Sequence, residues 1–211
     1  MFFASAIVGT GNKEQVIFLL GGNIATSVAF GPMYILMNKM GLGREMHEFD
    51  YWARLPLPKA IFVSAFISGS LLLALPGLLG VYIIGSQLLG FSPLNVLIFL
   101  PIIILGAVPL AAIGATLGSY IPSGQVANVI ANTVLLFIGF LSPMFFPLQL
   151  LPEPLRVIAW LLPTTYLADA LRSLLGSYQG THFLVDILFL SICTIVSLFL
   201  VQWKLDWRIE A

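Results

Sequence analysis

The sequence predicts an all-α integral membrane protein with five transmembrane helices. Of the 211 residues, 59% are hydrophobic and only 9% are charged, whereas soluble domains carry about 25% charged residues. The mean hydropathy is +1.03, and no Asp, Glu, Lys or Arg occurs between Lys59 and Glu153. The apolar runs are continuous and do not alternate with polar residues, so the pattern indicates membrane helices and not a β-barrel.

Five apolar runs each hold about 20 residues, the length that a helix needs to cross the hydrocarbon layer. They cover residues 16–37, 60–85, 94–119, 126–146 and 183–203 of a single transmembrane domain, residues 1–211. Gly114 and Gly118, in the third run, have the GxxxG spacing that lets helices approach closely. This spacing fits a dimer face or packing within the chain.

Basic residues predict the orientation. With five spans, residues 38–59 and 204–211 fall on one side and hold six Lys and Arg residues, against three on the other side. The positive-inside rule then places the C-terminus in the cytoplasm and residues 147–182 outside. The N-terminus is also predicted outside, without a signal sequence, and we favour the interpretation that a preceding span is missing.

The segment Ser142–Arg172 holds five prolines between apolar runs, and each proline ends or kinks a helix. The run between two of its prolines, Leu155–Leu162, rises only about 12 Å as a helix, against roughly 30 Å of hydrocarbon. The segment therefore dips into the membrane and returns, or lies along the interface. Asp169 and Arg172 are spaced to form a surface ion pair on an amphipathic helix.

Residues 38–59 concentrate the charge of the chain. A helix over residues 44–55, stopped by Pro56, places Met46 and Phe49 on one stripe and Glu45, Glu48 and Trp52 on another. Such a helix can rest on the membrane surface. It can also dock a soluble partner through its aromatic residues. The pattern alone favours the first interpretation.

The chain lacks the motifs of an energy source or an active site. No Gly-Lys dipeptide is present, so there is no Walker A loop for a nucleotide, and no HExxH, CxxC or GxSxG motif occurs. His47 and His182 fall on opposite sides of the membrane and cannot share a metal. Asp186 lies near the outer end of the last span and is predicted to be interfacial. A net charge of zero gives no reason to expect nucleic-acid binding.

Three segments resemble the membrane subunits of ABC type-2 transporters, and the resemblance extends over nearly everything after Val16. After the fourth span, the matching positions are Phe146–Pro147, Leu151–Pro152, Pro163, Thr165, Tyr166, Asp169 and Arg172. The turn before that span matches at Ile121, Pro122, Gln125, Ala127, Asn128 and Asn132. The charged segment matches the coupling helix of the family at Arg44, Glu45, Asp50 and Pro56. It departs from that family where His47–Glu48 replaces Gly-Thr and where Trp52 replaces Leu.

The resemblance implies an exporter of drugs, lipids or lipid-linked glycans. Two permease copies, as a homodimer or heterodimer, would form the pore in the bilayer, and an ATP-binding subunit would supply ATP and Mg; the permease itself would bind no cofactor or metal. The implied coupling residues are Arg44, Glu45, Glu48, Phe49, Asp50, Trp52 and Pro56. The implied external re-entrant gate contains Pro147, Pro152, Pro163, Thr165, Tyr166, Asp169 and Arg172. The family normally has an additional N-terminal helix and span, which agrees with a missing segment.

Two alternatives stay open at this level. One is a membrane-embedded enzyme that uses Asp169, Arg172 and His182 at the outer surface. The other is a non-functional permease fragment. The polar residues within the spans, chiefly Asn23, Thr26, Ser64, Ser68, Asn128, Asn132 and Thr133, suit an amphiphilic substrate, and hydrogen bonds between packed helices explain them equally well.

Overall fold

The structure is a computed structural model that describes residues 13–48, 51, 58–89, 96–144, 147–148, 151–175 and 183–204. Within these ranges the chain is helical and contains no strand. The helices are α1 (Lys13–Glu45), α2 (Lys59–Leu89), α3 (Val96–Ser119), α4 (Gly124–Leu141), α5 (Glu153–Leu161), α6 (Pro163–Leu175) and α7 (Phe183–Lys204).

Helix α1 is the centre of the bundle. It packs most extensively against α3 and also contacts α4, α6 and α2. Its 33 residues extend over about 50 Å, longer than the hydrocarbon layer. The helix continues through Pro32, as membrane helices can when neighbouring groups satisfy the backbone. Small side chains such as Ala25 and Ala29 are completely buried on its inner side, which lets α3 lie close.

Four helices within the described residues are long and apolar enough to cross a membrane: Glu14–Glu45, Ile98–Ser119, Gly124–Leu141 and Phe183–Trp203. They correspond to four of the five predicted spans. The remaining predicted span, residues 60–85, lies in α2, whose apolar stretch within the described residues is the shorter Ile61–Leu73. The all-helical prediction is confirmed, and the count of five spans stays a prediction.

Gly114 and Gly118 face α1. A Cβ atom at position 114 would overlap the carbonyl oxygen of Met33, and one at position 118 would lie 2.7 Å from the carbonyl oxygen of Met37. Since real Cβ atoms do not approach backbone this closely, glycine is required for α1 and α3 to pack at this distance. The GxxxG spacing therefore serves packing within the chain.

The predicted helix over residues 44–55 is wrong at its start. Arg44 and Glu45 form the last turn of α1, and His47 then has a φ of 57°. Few residues other than glycine adopt this left-handed conformation, and it ends a helix. The His47 amide donates to the carbonyl of Arg44 at 3.2 Å, as in a C-terminal cap. The charged segment therefore begins as a continuation of the first span.

Helices α5 and α6 form a short hairpin between α4 and α7. Pro152 precedes α5 and Pro163 begins α6, positions where the missing proline N–H has no helical partner to lose. The Thr165 hydroxyl donates to the carbonyl of Ala159 at 2.5 Å and joins the two helices. Helix α6 is buried along nearly its whole length, whereas α5 buries only Ala159.

Candidate functional site

A polar stripe runs along α1 and α4 on the outside of the bundle. On α1 it consists of Asn23, Ser27, Tyr34 and Asn38; on α4 it consists of Gln125, Asn128 and Asn132. The α1 residues are 4, 11 and 15 positions after Asn23, the spacing of one helical face. Asn23 and Ser27, like all three α4 residues, are exposed, and Tyr34 and Asn38 are half-buried.

Hydrogen bonds hold the two halves of the polar stripe together. The Asn128 amide donates to the Tyr34 hydroxyl at 3.0 Å, a contact that joins α4 to α1. The Asn132 amide in turn donates to the Asn128 side-chain oxygen at 2.6 Å. Asn128 therefore lies at the centre of a chain of three polar side chains within two membrane helices.

The polar stripe carries no charge, and large apolar side chains flank it. No Asp, Glu, Lys or Arg occurs from Gln15 to Asn38, nor anywhere in α4. Exposed neighbours on the same helices include Leu19, Ile35, Leu136, Phe137 and Phe140. Polar side chains on membrane helices generally face a protein interior or a water-filled cavity, because hydrocarbon cannot satisfy them. The polar stripe is thus suited to a second protein surface or an aqueous path.

Arg172 forms a buried cluster at the opposite end of α1 from Glu45. Its side chain is completely buried. Its Nη2 atom donates to two carbonyls, that of Pro143 at 2.5 Å and that of Met144 at 3.2 Å. Its Nε atom donates to the carbonyl of Phe18 at 3.3 Å. The guanidinium also lies 3.6 Å from the centre of the Phe18 ring. The Arg172 side chain thereby connects α6 by hydrogen bonds to the start of α1 and to the residues that follow α4.

Asp169 completes the Arg172 cluster and corrects a prediction. Its carboxylate accepts from Arg172 Nη1 at 3.2 Å. The pair has the predicted i,i+3 spacing, but it is buried and not on the surface, because α1, α3 and α7 all pack around α6. Burial raises the pKa of Asp169, and the neighbouring guanidinium of Arg172 offsets part of that rise. Asp186 of α7 is completely buried within the protein as well; its interfacial depth in the membrane stays a prediction.

Two glycines of α1 make room for the Arg172 cluster. A Cβ atom at Gly21 would lie 2.6 Å from Cγ of Arg172, and one at Gly22 would overlap the carbonyl oxygen of Met144. That carbonyl is itself an acceptor of Arg172. Gly21 therefore permits the close approach of α1 to α6, and Gly22 permits its close approach to the end of α4.

The remaining predicted gate residues lie along the hairpin. Pro147 and Pro152 are exposed before α5, whereas Pro163 and Thr165 are buried in the first turn of α6. The Tyr166 ring stacks on Phe189 of α7, with centroids 3.8 Å apart. The structure thus brings Thr165, Tyr166, Asp169 and Arg172 together on α6 but leaves the first two prolines on the surface.

The other end of α1 brings together three of the predicted coupling residues. Arg44 Nη1 donates to the carbonyl of Ser119 at 2.7 Å, and Glu45 accepts from the Gly124 amide at 2.8 Å. Glu48 pairs with Lys39 at 2.7 Å on the surface. The other predicted coupling residues, Phe49, Asp50, Trp52 and Pro56, lie outside the described residues. We refer to Arg44, Glu45 and the backbone of residues 119–124 as the inner clamp.

The arrangement offers little support for an enzyme. Asp169 and Arg172 are buried and bonded to the protein, so they present no reactive group at the surface. The third residue of that hypothesis, His182, lies outside the described residues. Among the described side chains no group of three His, Cys, Asp or Glu residues comes together as metal ligands would.

Sequence reasoning did not recognise the polar stripe or the backbone partners of the charged residues. The signal for the stripe was present, because Asn23, Ser27 and Asn38 recur at helical spacing in a run without charges. Asn128 and Asn132 repeat at i,i+4 in the same way. The carbonyls of Ser119 and Phe18, by contrast, carry no side-chain signature from which they could be predicted.

A family model described as ABC-2 type transporter matches residues 1–176, a range that contains the polar stripe, the Arg172 cluster and the inner clamp. No curated protein matches the chain.

Proposed function

Since the chain belongs to the ABC-2 type transporter family, we propose that it is the permease subunit of an ATP-driven exporter whose substrate path follows the polar stripe. Membership makes the chain a multi-pass membrane component of a transporter. We propose three things beyond this membership: that transport is outward, that the path follows the polar stripe, and that the substrate is hydrophobic or amphiphilic. The observation that carries it is the exposed row of uncharged polar side chains on α1 and α4.

The polar stripe supports a path between two permease copies. Exposed amides facing lipid would be unfavourable, and a second copy placed against α1 and α4 would cover them. Between the copies, Asn23, Asn128 and Asn132 would offer hydrogen bonds to a substrate, and Phe137 and Phe140 would contact its apolar part. A hydrophobic or amphiphilic substrate without a required charge fits this lining.

The energy source is proposed to be an ATP-binding subunit that holds ATP and Mg. No Walker A motif occurs in the chain, so nucleotide must bind elsewhere. The partner would dock on the segment that follows α1, residues 46–58. The six basic residues that favour a cytoplasmic location for this side, with the C-terminus, support that placement.

The hairpin of α5 and α6 is proposed to be an external re-entrant gate. Near its apex, Val157, Ile158 and Leu161 of α5 are exposed, and hydrocarbon is the surrounding in which such side chains are stable. Glu153 lies at the other end of α5, and the long side chain of Arg156, in the middle of the helix, extends to the carbonyl of Leu151 at that same end. Helix α6 returns through the bundle interior.

Transport is tested by reconstituting the permease with an ATP-binding subunit that carries a Walker A motif and following NBD-labelled lipids in liposomes. Wild-type complex is expected to move a neutral lipid only when ATP is hydrolysed. The double substitution Asn128→Leu and Asn132→Leu removes two hydrogen-bonding groups of about 1 kcal/mol each, so transport should fall about ten-fold or more with hydrolysis retained.

The matched control changes polar residues outside the polar stripe. Ser64 and Ser68 of α2 are exposed and donate to carbonyls of their own helix, so Ser64→Ala with Ser68→Ala should transport at the wild-type rate. Lipid movement by wild type without ATP would contradict the exporter proposal. Equal loss in both double variants would contradict the path.

The re-entrant gate predicts opposite labelling of the two ends of α5. In a Cys193→Ala background, Glu153→Cys should react with a membrane-impermeant maleimide added outside, because that end reaches the interface. Leu161→Cys should stay unlabelled from both sides, because the apex lies in hydrocarbon. Rapid labelling of Leu161→Cys from the inside would mean that the hairpin crosses the membrane.

A further inference from the structure

We propose that Arg44 and Glu45 are positioning residues that clamp the turn between α3 and α4, so that movement of the cytoplasmic segment reaches both helices of that turn. The inference rests on the proposed function and changes the role of these two residues. The resemblance assigns them to the contact with an ATP-binding subunit. Their side chains instead bind the chain's own backbone.

The two charges match the two helix ends that they contact. Arg44 donates to the carbonyl of Ser119, the last residue of α3, where the unsatisfied carbonyls give the helix end a partial negative charge. Glu45 accepts from the amide of Gly124, the first residue of α4, where the unsatisfied amides give a partial positive charge. Each charge therefore stabilises a helix terminus of the opposite sign.

The order of the two residues fits the order of the two helix ends. Neighbouring residues of a helix project about 100° apart, so Arg44 and Glu45 reach to either side of the turn at residues 120–123. Ser123 caps α4 independently, accepting from the Val126 amide at 3.4 Å. Glu45 therefore binds an amide that this cap leaves available.

Close packing of α1 against the start of α4 keeps these two helices from moving separately next to the inner clamp. A Cβ atom at Gly41 of α1 would lie 2.5 Å from Cβ of Ala127 and 3.0 Å from the carbonyl oxygen of Ser123. With α1 in direct contact with the start of α4, a rotation or shift of its end displaces the turn as well. A force on residue 46 onward then moves α1, α3 and α4 together, including both halves of the polar stripe.

Exchanging the two charges tests the inner clamp. If the two residues of the Lys39–Glu48 surface pair were exchanged, the attraction would be kept, because both partners are side chains and both change sign. The partners of Arg44 and Glu45 are backbone groups with fixed sign. Arg44→Glu with Glu45→Arg keeps the net charge yet places each charge against a like one. ATP hydrolysis by the reconstituted complex should continue, and ATP-dependent lipid transport should fall about ten-fold or more.

A reversible cross-link separates this role from contact with the ATP-binding subunit. A Cβ atom at Gly124 would lie 3.4 Å from the Glu45 carboxylate, without a clash. In the Cys193→Ala background, Glu45→Cys with Gly124→Cys should transport poorly when reduced. It should regain transport when a short bifunctional methanethiosulfonate joins the two thiols, and lose it again with dithiothreitol. The single Glu45→Cys variant should show no recovery.

Three outcomes are distinguishable. Loss of transport with retained hydrolysis, and recovery on cross-linking, support the inner clamp. Loss of the ATP-binding subunit from the purified charge-exchanged complex, or no recovery on cross-linking, would overturn it in favour of direct docking. Failure of the proposed function would appear separately, as a wild-type complex that hydrolyses ATP but moves no lipid.

Discussion

Replacing Arg172 with methionine is expected to lower the free energy of unfolding by about 3–5 kcal/mol, the range measured when one partner of a buried ion pair is removed. Methionine fills much of the volume but donates no hydrogen bond. The substitution leaves the Asp169 carboxylate buried beside apolar groups, and it removes the donors to the carbonyls of Phe18, Pro143 and Met144. Three elements of the bundle lose their common contact.

The measurement is thermal unfolding of purified protein in detergent, followed by the loss of the monodisperse peak in size-exclusion chromatography. Arg156→Met is the matched control, because that arginine is half-buried on α5 and donates to Leu151 in its own segment at 3.2 Å. It should change the midpoint little. Arg172→Met with Asp169→Asn should recover part of the loss, since the buried charge is then removed as well. An Arg172→Met protein with the same unfolding midpoint as wild type would refute the stabilising role of the Arg172 cluster.

Replacing Gly22 with alanine is expected to destabilise the protein by about 1–3 kcal/mol, the usual result of overpacking a close contact. The added Cβ would overlap the carbonyl oxygen of Met144. Backbone is the obstacle, so no flexible side chain can move aside. To accept alanine, α1 must separate from the end of α4, which also lengthens the hydrogen bond between Arg172 and Met144.

Gly31→Ala is a control on the same helix. A Cβ atom at Gly31 meets no atom within 4 Å, so alanine should be neutral or stabilise α1 by up to about 1 kcal/mol through its better helix propensity. Both variants are compared by the same unfolding measurement. Similar midpoints for Gly22→Ala and Gly31→Ala would show that α1 and α4 are not in close contact at that end.

Much of the fold could be predicted from composition and length. Hydrocarbon requires about 20 consecutive apolar residues in a helix, so four runs of the sequence coincide with helices that are long and apolar enough to span. The proline positions similarly indicated a short, interrupted segment, and α5 and α6 are short helices separated at Pro163. These features are local, and local chemistry is present in the sequence itself.

The candidate site was predicted less well, because the same spacing fits different surroundings. An Asp169–Arg172 pair at i,i+3 reads identically on an exposed helix and on a buried one. Its burial follows from the packing of α1, α3 and α7 around α6, contacts that join residues far apart in the chain. The end of α1 was misplaced for a related reason, since nothing in the residue type of His47 requires the left-handed conformation that it adopts.

The sequence by itself determined a membrane protein of helices that contains no Walker A, HExxH, CxxC or GxSxG motif. It showed the residues of the polar stripe only as isolated polar side chains. Only the tertiary structure decided which partners the charged and polar groups have. Arg44, Glu45 and Arg172 bind backbone carbonyls and amides of distant helices. Every residue except proline carries both of these backbone groups, so no sequence pattern identifies the particular ones that packing brings within reach.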